Sequence, residues 1–510
     1  MPLLASAPRP AVHSQRPLAV AVIGAGIAGL CAALELRARG CEVTVLERAP
    51  TAGGKLRQVL GVDAGPTVFT LREVFEELFR SAGERLEDHL ALRPLSTLAR
   101  HAWRGGASLD LHADIERSAA AIREFAGDGE ARGYLRFCND SRRAYATLDR
   151  SFMRQPEPSL GGLIAHAGWR GLPNLWRLRA FDSLWKALGS YFHDPRLRQL
   201  FGRYATYCGS SPFDAPATLM LVAHVEQAGV WQIEGGMHRL AESLRALLQA
   251  RAVNVRCGTP VHDIEVSGGR VTALSIGDGE RVTVDAVVAT CDTAALGAGL
   301  LGSAARAAAP PLPLDSRSLS AITWTGTAAI NGLALLRHNV FFSDDYAAEF
   351  DSLVQQRRVP LRPTVYVCAQ DRESAAPPDP GQPERLLCLI NAPPVGDCHE
   401  FDAREMAQCL NAMLSTLAHC GVQLPAGAAQ LAPTTPSDFH RLFPGSGGAL
   451  YGPATHGWQA SFRRPGVRTR IRGLYLAGGS THPGPGLPMA ALSGRHAAHC
   501  LLQEQGSTRQ

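Results

Sequence analysis

The sequence predicts an α/β protein in which a parallel-sheet domain, assembled from both ends of the chain, carries an inserted domain of mixed α+β structure. Two observations predict this fold. An apolar strand runs into a glycine-rich turn and a helix near the start, and a second strand, glycine-rich loop and helix stand near the end. The chain has 510 residues, enough for about two to four domains, so the stretch between these ends can form a domain of its own.

The composition is that of an ordinary folded protein, with 45% hydrophobic and 19% charged residues. The net charge of +5 is too small to predict a nucleic-acid partner, although it permits contact with an anionic membrane. Twelve cysteines are scattered from Cys31 to Cys500 without the close pairs that metal or redox sites use. We therefore expect reduced thiols, a cytoplasmic location and no metal.

The first predicted element is a strand, Ala19–Ile23, followed by the turn Gly24–Gly29 and a helix that ends before Gly40. A second strand, Glu42–Leu46, comes next. The uncharged stretch Ser318–Leu336 is long enough to cross a bilayer, but its asparagine, threonines and glycines favour a buried strand. The start of the chain therefore reads as a strand, helix and strand of a parallel sheet.

The turn has the spacing of a dinucleotide-binding fingerprint. Gly24 permits the tight turn, Gly26 lets the backbone approach a pyrophosphate, and Gly29 allows close packing of helix and strand. Glu47 stands at the end of the second strand, where a carboxylate can accept hydrogen bonds from a ribose diol. The sequence thus predicts a Rossmann-like nucleotide site, with FAD and NAD both open at this point.

Two motifs after Glu47 carry a family resemblance. Gly53-Gly54-Lys55-Leu56-Arg57 and Asp63-Ala64-Gly65-Pro66-Thr67 follow the fingerprint in an order that resembles the FAD domain of the amine-oxidase and carotenoid-desaturase superfamily. The resemblance implies FAD rather than NAD. It also implies cofactor contacts in this stretch at Gly54, Lys55, Arg57, Gly65, Pro66 and Thr67.

The far end of the chain reads as a strand, a loop dense in glycine and proline, and a helix from about Met489 to Leu502. It resembles the C-terminal signature of bacterial-type phytoene desaturases. That resemblance implies contacts of Gly478 and Gly479 with the pyrophosphate, and of Leu487, Pro488 and Met489 with the isoalloxazine. The Ser-Gly-Gly-Cys that would bond a flavin covalently is replaced by Leu492-Ser493-Gly494-Arg495, so we expect non-covalent FAD.

The middle of the chain predicts a β-rich unit over Val255–Ile264 and Arg270–Val288 that returns to the nucleotide domain. The resemblance implies a contact of Val261 with the adenine side. Asp292 is either a cofactor contact or a helix N-cap. The predicted segments are FAD-binding parts 17–95, 229–300 and 466–503, and substrate-domain parts 96–228 and 301–465, the former membrane-facing.

Further stretches, including Tyr204–Pro212, Gly229–Met237 and His338–Phe342, extend the resemblance over nearly the whole chain. The chain is similar to the carotenoid desaturases, above all to their 1-hydroxycarotenoid 3,4-desaturase branch in purple bacteria. The resemblance implies C-3,4 desaturation of 1-hydroxy acyclic carotenoids such as hydroxyneurosporene, with hydride transfer to flavin. Alternatives are a phytoene or neurosporene desaturase, a carotenoid isomerase, an amine or porphyrinogen oxidase and, outside the enzymes, an escort protein for prenylated partners.

The residues themselves show no nucleophile elbow, HExxH motif or P-loop, which argues against hydrolases and kinases. Two catalytic candidates remain. His482 is either a proton shuttle beside the flavin or a residue that fixes its loop, and Glu234 is a candidate base. The residues expected to line a substrate tunnel, each with a core role as the alternative, are Tyr207, Trp231, His338 and Phe341.

A carotenoid dissolves in lipid, so we expect peripheral contact with the inner or photosynthetic membrane. Apolar residues recur at helical spacing between Leu175 and Leu188, with basic residues on other faces. This segment is either an interfacial helix or a helix that packs on its own core. The electron acceptor expected from the resemblance is a quinone or oxygen.

Overall fold

The structure, a computed structural model, describes residues 16–157, 179, 181–373, 382–424 and 429–508. Its strands in chain order are β1 (Ala19–Ile23), β2 (Glu42–Leu46), β3 (Gln58–Val59), β4 (Val62–Asp63), β5 (Leu92–Pro94), β6 (Thr97–Ala102), β7 (Ser108–His112), β8 (Trp231–Ile233), β9 (Asn254–Arg256), β10 (Val261–Ser267), β11 (Arg270–Ile276), β12 (Glu280–Thr283), β13 (Ala286–Ala289), β14 (Ser320–Ala328), β15 (Asn331–Gly332), β16 (His338–Phe341), β17 (Val365–Ala369), β18 (Glu384–Ala392), β19 (Val422–Gln423), β20 (Ala429–Thr434) and β21 (Leu474–Leu476).

The α-helices of the described residues are α1 (Ile27–Ala38), α2 (Arg72–Ser81), α3 (Ile115–Ala126), α4 (Asp128–Leu148), α5 (Leu184–Leu188), α6 (Pro195–Gly202), α7 (Leu221–Gln227), α8 (His238–Ala250), α9 (Thr293–Gly297), α10 (Tyr346–Val354), α11 (Ala403–His419), α12 (Pro436–Leu442) and α13 (Leu487–Thr508). A π-helical turn, Asp149–Met153, continues α4. None of these helices has the length and apolar character needed to cross a bilayer.

A five-stranded parallel sheet joins the two ends of the chain, in the order β21-β13-β1-β2-β9. Strand β1 pairs with β2 on one side and with β13 on the other, and β13 pairs in turn with β21. The predicted strands Ala19–Ile23 and Glu42–Leu46 and the return to the nucleotide domain are therefore confirmed. Helix α13 is longer than predicted, since it begins at Leu487 with Pro488 in its first turn, a position that proline tolerates.

Both faces of this sheet are covered, as parallel sheets require. Val20 and Val22 of β1 belong to a core shared with α1, α8 and α13, whereas Ala21 and Ile23 point into a core shared with the antiparallel sheet β10-β11-β12. The alternation of β1 therefore buries its apolar side chains on both faces from Val20 to Ile23. The carboxyl ends of the parallel strands remain as the edge at which a ligand can bind.

A second, seven-stranded sheet has the order β20-β14-β18-β17-β16-β6-β7. Its strands are antiparallel except for the pair β16 and β6. The stretch Ser318–Leu336 contributes β14, so its interpretation as a buried strand is confirmed. All strands of this sheet lie within 96–228 and 301–465, and those of the parallel sheet lie within the other three segments; the segment boundaries themselves stay a prediction.

Candidate functional site

One large cavity, about 1150 Å³ in volume, extends from the carboxyl edge of the parallel sheet to one face of the seven-stranded sheet. Its lining includes Ile23 and Leu46, the last residues of β1 and β2, and Asp292 and Gly478, which follow β13 and β21. At the other side it is lined by Tyr366 of β17 together with residues of β14 and β18. The cavity therefore joins the predicted nucleotide site to the inserted domain.

The first turn is held by close backbone packing. Gly24 has a φ of +101°, and a β-carbon there would lie 2.6 Å from Thr290 Oγ1. A β-carbon on Gly29 would lie 1.9 Å from the Gly24 carbonyl oxygen, so only glycine allows α1 to approach the turn. The three glycines have different surroundings, because a β-carbon on Gly26 meets no atom closer than Gly54 Cα, at 4.0 Å. The space beside Gly26 belongs to the cavity.

Glu47 follows β2 and lies against the same turn. Its carboxylate accepts hydrogen bonds from the backbone N–H of Ala25 (2.7 Å) and of Ala49 (2.8 Å). Only 8% of Glu47 is exposed, and it lines the cavity. A carboxylate offers about four lone-pair positions, so two stay available for a ligand diol after these two bonds.

Two basic residues of the Gly-Gly-Lys motif lie in the cavity wall. Lys55 donates to the carbonyl of Leu450, and burial lowers its pKa while the charge of Asp292 raises it. Arg57 donates to Thr434 Oγ1 at 3.2 Å, and burial lowers its pKa as well. Both cations are thus kept on the cavity side by partners from distant segments.

Gly65, Pro66 and Thr67 also line the cavity. A β-carbon on Gly65 would lie 1.7 Å from the carbonyl oxygen of Lys55, so the Asp63–Thr67 motif packs closely on the backbone of the Gly-Gly-Lys motif. The Thr67 hydroxyl is 2.7 Å from the Tyr366 hydroxyl, and the Tyr366 hydroxyl is 2.7 Å from His338 Nδ1. A series of hydrogen bonds thus links the nucleotide end of the cavity to β16.

The C-terminal loop closes the cavity from the opposite side. The cofactor candidates here that line it are Gly478, Gly479, Leu487, Pro488 and Met489, together with Val261 from β10. Asp292 also lines it, and its side chain caps α9 by accepting from the Ala294 N–H at 3.0 Å. The N-cap role predicted as one of the two alternatives for Asp292 is therefore confirmed, while its cofactor contact stays a prediction; burial raises its pKa.

The structure separates the two catalytic candidates from the cavity lining. His482 belongs to the C-terminal loop and is fully buried, and its Nε2 lies 2.9 Å from the carbonyl oxygens of Phe152 and Gln155. Burial lowers its pKa to about 4, partly opposed by these carbonyls. Glu234 stands on the exposed turn after β8 and pairs with Arg93 at 3.0 Å. Neither side chain is among those that line the cavity within the described residues.

The four substrate candidates divide in the same way. Tyr207 lines the cavity. His338 stands behind Tyr366, and burial lowers its pKa to about 3, with the charges of Arg337 and Arg203 adding to the effect. Phe341 is fully buried in the core under the seven-stranded sheet, and Trp231 packs beside the helical core of the parallel sheet. Three of the four therefore lie outside the lining within the described residues. Phe341 faces the side of β16 opposite to Val340, which lines the cavity, whereas His338 is covered by Tyr366.

The sequence reasoning missed several charged residues of the cavity, among them two buried arginines. Arg464 is buried and donates to the carbonyls of Tyr451, Pro453 and Gly479, so it holds the C-terminal loop in place. Burial lowers its pKa to about 10. Arg203 of the inserted domain also lines the cavity beside Tyr207. No local motif marks either arginine, and only their buried positions reveal them.

The amphipathic segment is described in part. Residues 158–178 and 180 lie outside the described residues, and with them Leu175 and Leu178 at the start of the proposed apolar stripe. Leu184 and Leu188 of α5 are fully buried, so at these two positions the alternative of packing on the core is the correct one. Phe181 is 60% exposed and lines the cavity together with Trp458, which is 38% exposed. Apolar side chains therefore surround a cavity opening at the surface.

Comparison with known proteins gives consistent matches. Residues 27–502 match the family of flavin containing amine oxidoreductases. The chain is 51% identical, over 96% of its length and 94% of the relative's, to a hydroxyneurosporene desaturase of Rubrivivax gelatinosus. It is 44% identical, over 96% and 98%, to one of Cereibacter sphaeroides. Among solved structures, cyclohexylamine oxidase of Brevibacterium oxydans shares the fold, with a TM-score of 0.56 and 16% identity over 96% of this chain and 100% of that one.

Proposed function

The chain belongs to the family of flavin containing amine oxidoreductases, as a carotenoid desaturase with FAD as its cofactor, and we propose that it forms the C-3,4 double bond of 1-hydroxy acyclic carotenoids. Support for the substrate comes from the names of the relatives at 51% and 44% identity, both hydroxyneurosporene desaturases. A 1-hydroxycarotenoid 3,4-desaturase of Flavobacterium is 30% identical over 94% of the chain. Phytoene or neurosporene as the substrate is the alternative that the experiment below addresses.

The observation that carries the proposal is the single cavity shared by the two sheets. At one end it has the glycines, cations and carboxylate that suit a dinucleotide. Toward the inserted domain it is mostly apolar, with Leu148, Leu219, Leu221, Val222, Val225, Leu387 and Leu389 in its wall. A polyene held there meets the cofactor without crossing water, which a conjugated hydrocarbon requires.

We assign the cofactor contacts to the lining residues described above. The open space beside Gly26 admits the pyrophosphate, and the free lone pairs of Glu47 suit the ribose diol. Lys55 and Arg57 supply positive charge. The first turn of α13 lines the cavity, so its N-terminus would stabilise negative charge on a bound isoalloxazine. Bound FAD supplies the acceptor for a hydride from an allylic carbon.

The chain's own share of the reaction is orientation and exclusion of water. Holding reactants in line can lower a barrier by about 7–11 kcal/mol. We assign His482 to fixing the loop, since its Nε2 is engaged by two carbonyls and it does not reach the cavity. Glu234 has no path to a substrate from its surface turn. Tyr207 is the substrate contact among the four candidates, and His338 positions the Tyr366 hydroxyl.

We further propose that the enzyme draws its substrate from the inner or photosynthetic membrane by peripheral contact. The exposed apolar residues Phe181, Leu300, Leu442 and Trp458 all line the cavity. The rings of Phe181 and Trp458 are in contact, with centroids 5.3 Å apart, so these two form an apolar rim where the cavity reaches the surface. An apolar rim allows a carotenoid to enter without exposure to water. A membrane location also suits a quinone as the electron acceptor, with oxygen as the alternative.

The test supplies the purified FAD-loaded protein with phosphatidylcholine liposomes that contain 1-hydroxyneurosporene, neurosporene or phytoene. Each added conjugated double bond moves the visible absorption to longer wavelength. We expect a shift with the hydroxylated substrate. A shift with phytoene alone would refute the proposed substrate while leaving a desaturase. For hydride transfer, deuterium on the reacting allylic carbon should slow a single anaerobic turnover, and the absence of an isotope effect would contradict it.

A further inference from the structure

The apolar part of the cavity contains one buried polar cluster, formed by Arg203, Tyr207 and Glu226. All three residues line the cavity, and Arg203 and Glu226 are only 5% and 6% exposed. Arg203 Nη1 donates to the Tyr207 hydroxyl, which donates to Glu226 Oε1 at 2.7 Å. Tyr204, outside the cavity lining, donates to Glu226 Oε2 at 2.7 Å. The cluster joins the short helix around Arg203 to α7.

The hydrogen bonding of this cluster is incomplete. Arg203 Nη2 is buried without a hydrogen-bond partner among the described residues, and its distance to Glu226 Oε2 is 3.6 Å. The Glu226 carboxylate has lone pairs beyond the two that the tyrosines use. Leaving a buried charged donor unsatisfied costs free energy, and an apolar ligand would not recover it. The cluster therefore suits a ligand that both accepts and donates one hydrogen bond.

We propose that Arg203, Tyr207 and Glu226 form a subsite for the tertiary hydroxyl of the carotenoid substrate. The hydroxyl oxygen accepts from Arg203 Nη2, and the hydroxyl proton is donated to Glu226. This inference rests on the proposed function, which places that hydroxyl on C-1. A hydroxyl on C-1 is two carbon–carbon bonds from C-3, so its anchor fixes which bond of the chain reaches the cofactor.

The surroundings agree with this placement. The charge of Arg203 contributes to the low pKa of His338, which is hydrogen-bonded to Tyr366. Tyr366 in turn bonds Thr67, a cofactor contact assigned above. The cluster, Tyr366 and Thr67 thus line the same cavity, so a ligand held by the cluster shares that cavity with the assigned cofactor contacts.

The experiment measures kcat/KM of the FAD-loaded enzyme with 1-hydroxyneurosporene, its O-methyl ether and neurosporene in phosphatidylcholine liposomes. The wild type should prefer the alcohol over neurosporene by at least about 100-fold, because sites built for a hydroxyl discriminate strongly. Tyr207→Phe should reduce that preference about tenfold, because the Tyr207 hydroxyl holds both Arg203 and Glu226 in place and one hydrogen bond to a charged group is worth about that much. Its matched control is Tyr204→Phe, which removes the other hydroxyl that bonds Glu226 and should keep the preference.

The outcomes distinguish the proposed substrate from the proposed hydroxyl subsite. A wild type that converts neurosporene as well as the alcohol refutes the proposed substrate, and the subsite with it. A wild type that prefers the alcohol, with an unchanged preference in Tyr207→Phe or an equal loss in Tyr204→Phe, refutes the subsite alone. The ether comparison needs no variant, since methylation removes the donated proton and adds volume. An ether that reacts as fast as the alcohol also overturns the subsite, even if Tyr207→Phe fails to fold.

Discussion

Gly26 and Gly29, three residues apart in one turn, should respond to alanine in opposite ways. Gly26 has extended backbone with φ −72°, which alanine adopts freely, and its β-carbon would meet no protein atom closer than 4.0 Å. An alanine at such a position commonly stabilises a fold by about 0.4–1 kcal/mol, because it restricts the unfolded chain. We therefore expect Gly26→Ala to fold normally but to fill the space assigned to the pyrophosphate.

In Gly29→Ala the added carbon would lie 1.9 Å from the Gly24 carbonyl oxygen, well inside van der Waals contact. Relieving that overlap requires α1 to move away from the turn. Overpacking of this kind costs about 1–3 kcal/mol or more. At about 2–4 °C per kcal/mol for a domain of this size, the melting temperature should fall by several degrees.

The assay compares the flavin absorbance per protein and the thermal unfolding of the purified variants with those of the wild type. Gly26→Ala should lose most of its FAD while the protein stripped of FAD melts no lower than stripped wild type. Gly29→Ala should melt lower even without FAD. Full FAD content in Gly26→Ala would refute the reasoning that the cavity beside this glycine holds the pyrophosphate.

Three further predictions concern a histidine, a buried carboxylate and the cavity rim. His482→Gln should lower the melting temperature, yet the pH profile of kcat between about 6 and 8 should keep its shape, since a pKa of about 4 leaves His482 neutral there; a lost inflection would identify a proton shuttle. Glu35 is buried, and bonds from His499, Arg39 and Arg495 outweigh its burial and hold its pKa at about 2. The stabilisation by ionised Glu35 is fully present above the unfolded-state pKa of about 4.5 and is lost as the pH falls toward 2. The difference in free energy of unfolding between wild type and Glu35→Gln, measured in urea, should therefore narrow over that range; a constant difference would contradict this sign. Trp458→Asp should weaken binding to anionic vesicles about tenfold. The matched control is Leu361→Asp, which should leave vesicle binding unchanged, because Leu361 is 92% exposed and lies outside the cavity lining; equal effects of the two substitutions would argue against docking through the rim.

The nucleotide end could be predicted closely because its determinants are local. Strand, turn and helix around Gly24 to Gly29 follow from glycine conformation and apolar alternation within a few residues, and each appears in the structure where predicted. The resemblance added Lys55, Gly478 and Met489, which all line the cavity. For Asp292 the sequence left two roles open, and the fold accommodates both.

The inserted domain was less predictable, because its site depends on contacts between distant segments. Trp231 and Phe341 were chosen by residue type, but the faces that their side chains occupy depend on how β8 and β16 pack, which no short motif encodes. Likewise Glu234 adjoins a glycine pair that resembles the family's pattern, although its turn lies at the surface. The partnership of Arg203 with Glu226 joins residues 23 positions apart and leaves no sequence signal.

The sequence and the tertiary structure thus determine different features of this protein. The sequence by itself determined the parallel sheet at the chain ends and its ligand-binding edge, since backbone geometry at glycines and strand periodicity act over short distances. The family followed from the resemblance of its motifs. Only the tertiary structure decided which side chains face the cavity, that His482 is buried and where a charge pair interrupts an apolar wall. Burial and charge pairing depend on residues that are far apart in the sequence, 23 positions for Arg203 and Glu226 and 330 for His482 and Phe152, and they exist only once the chain has folded.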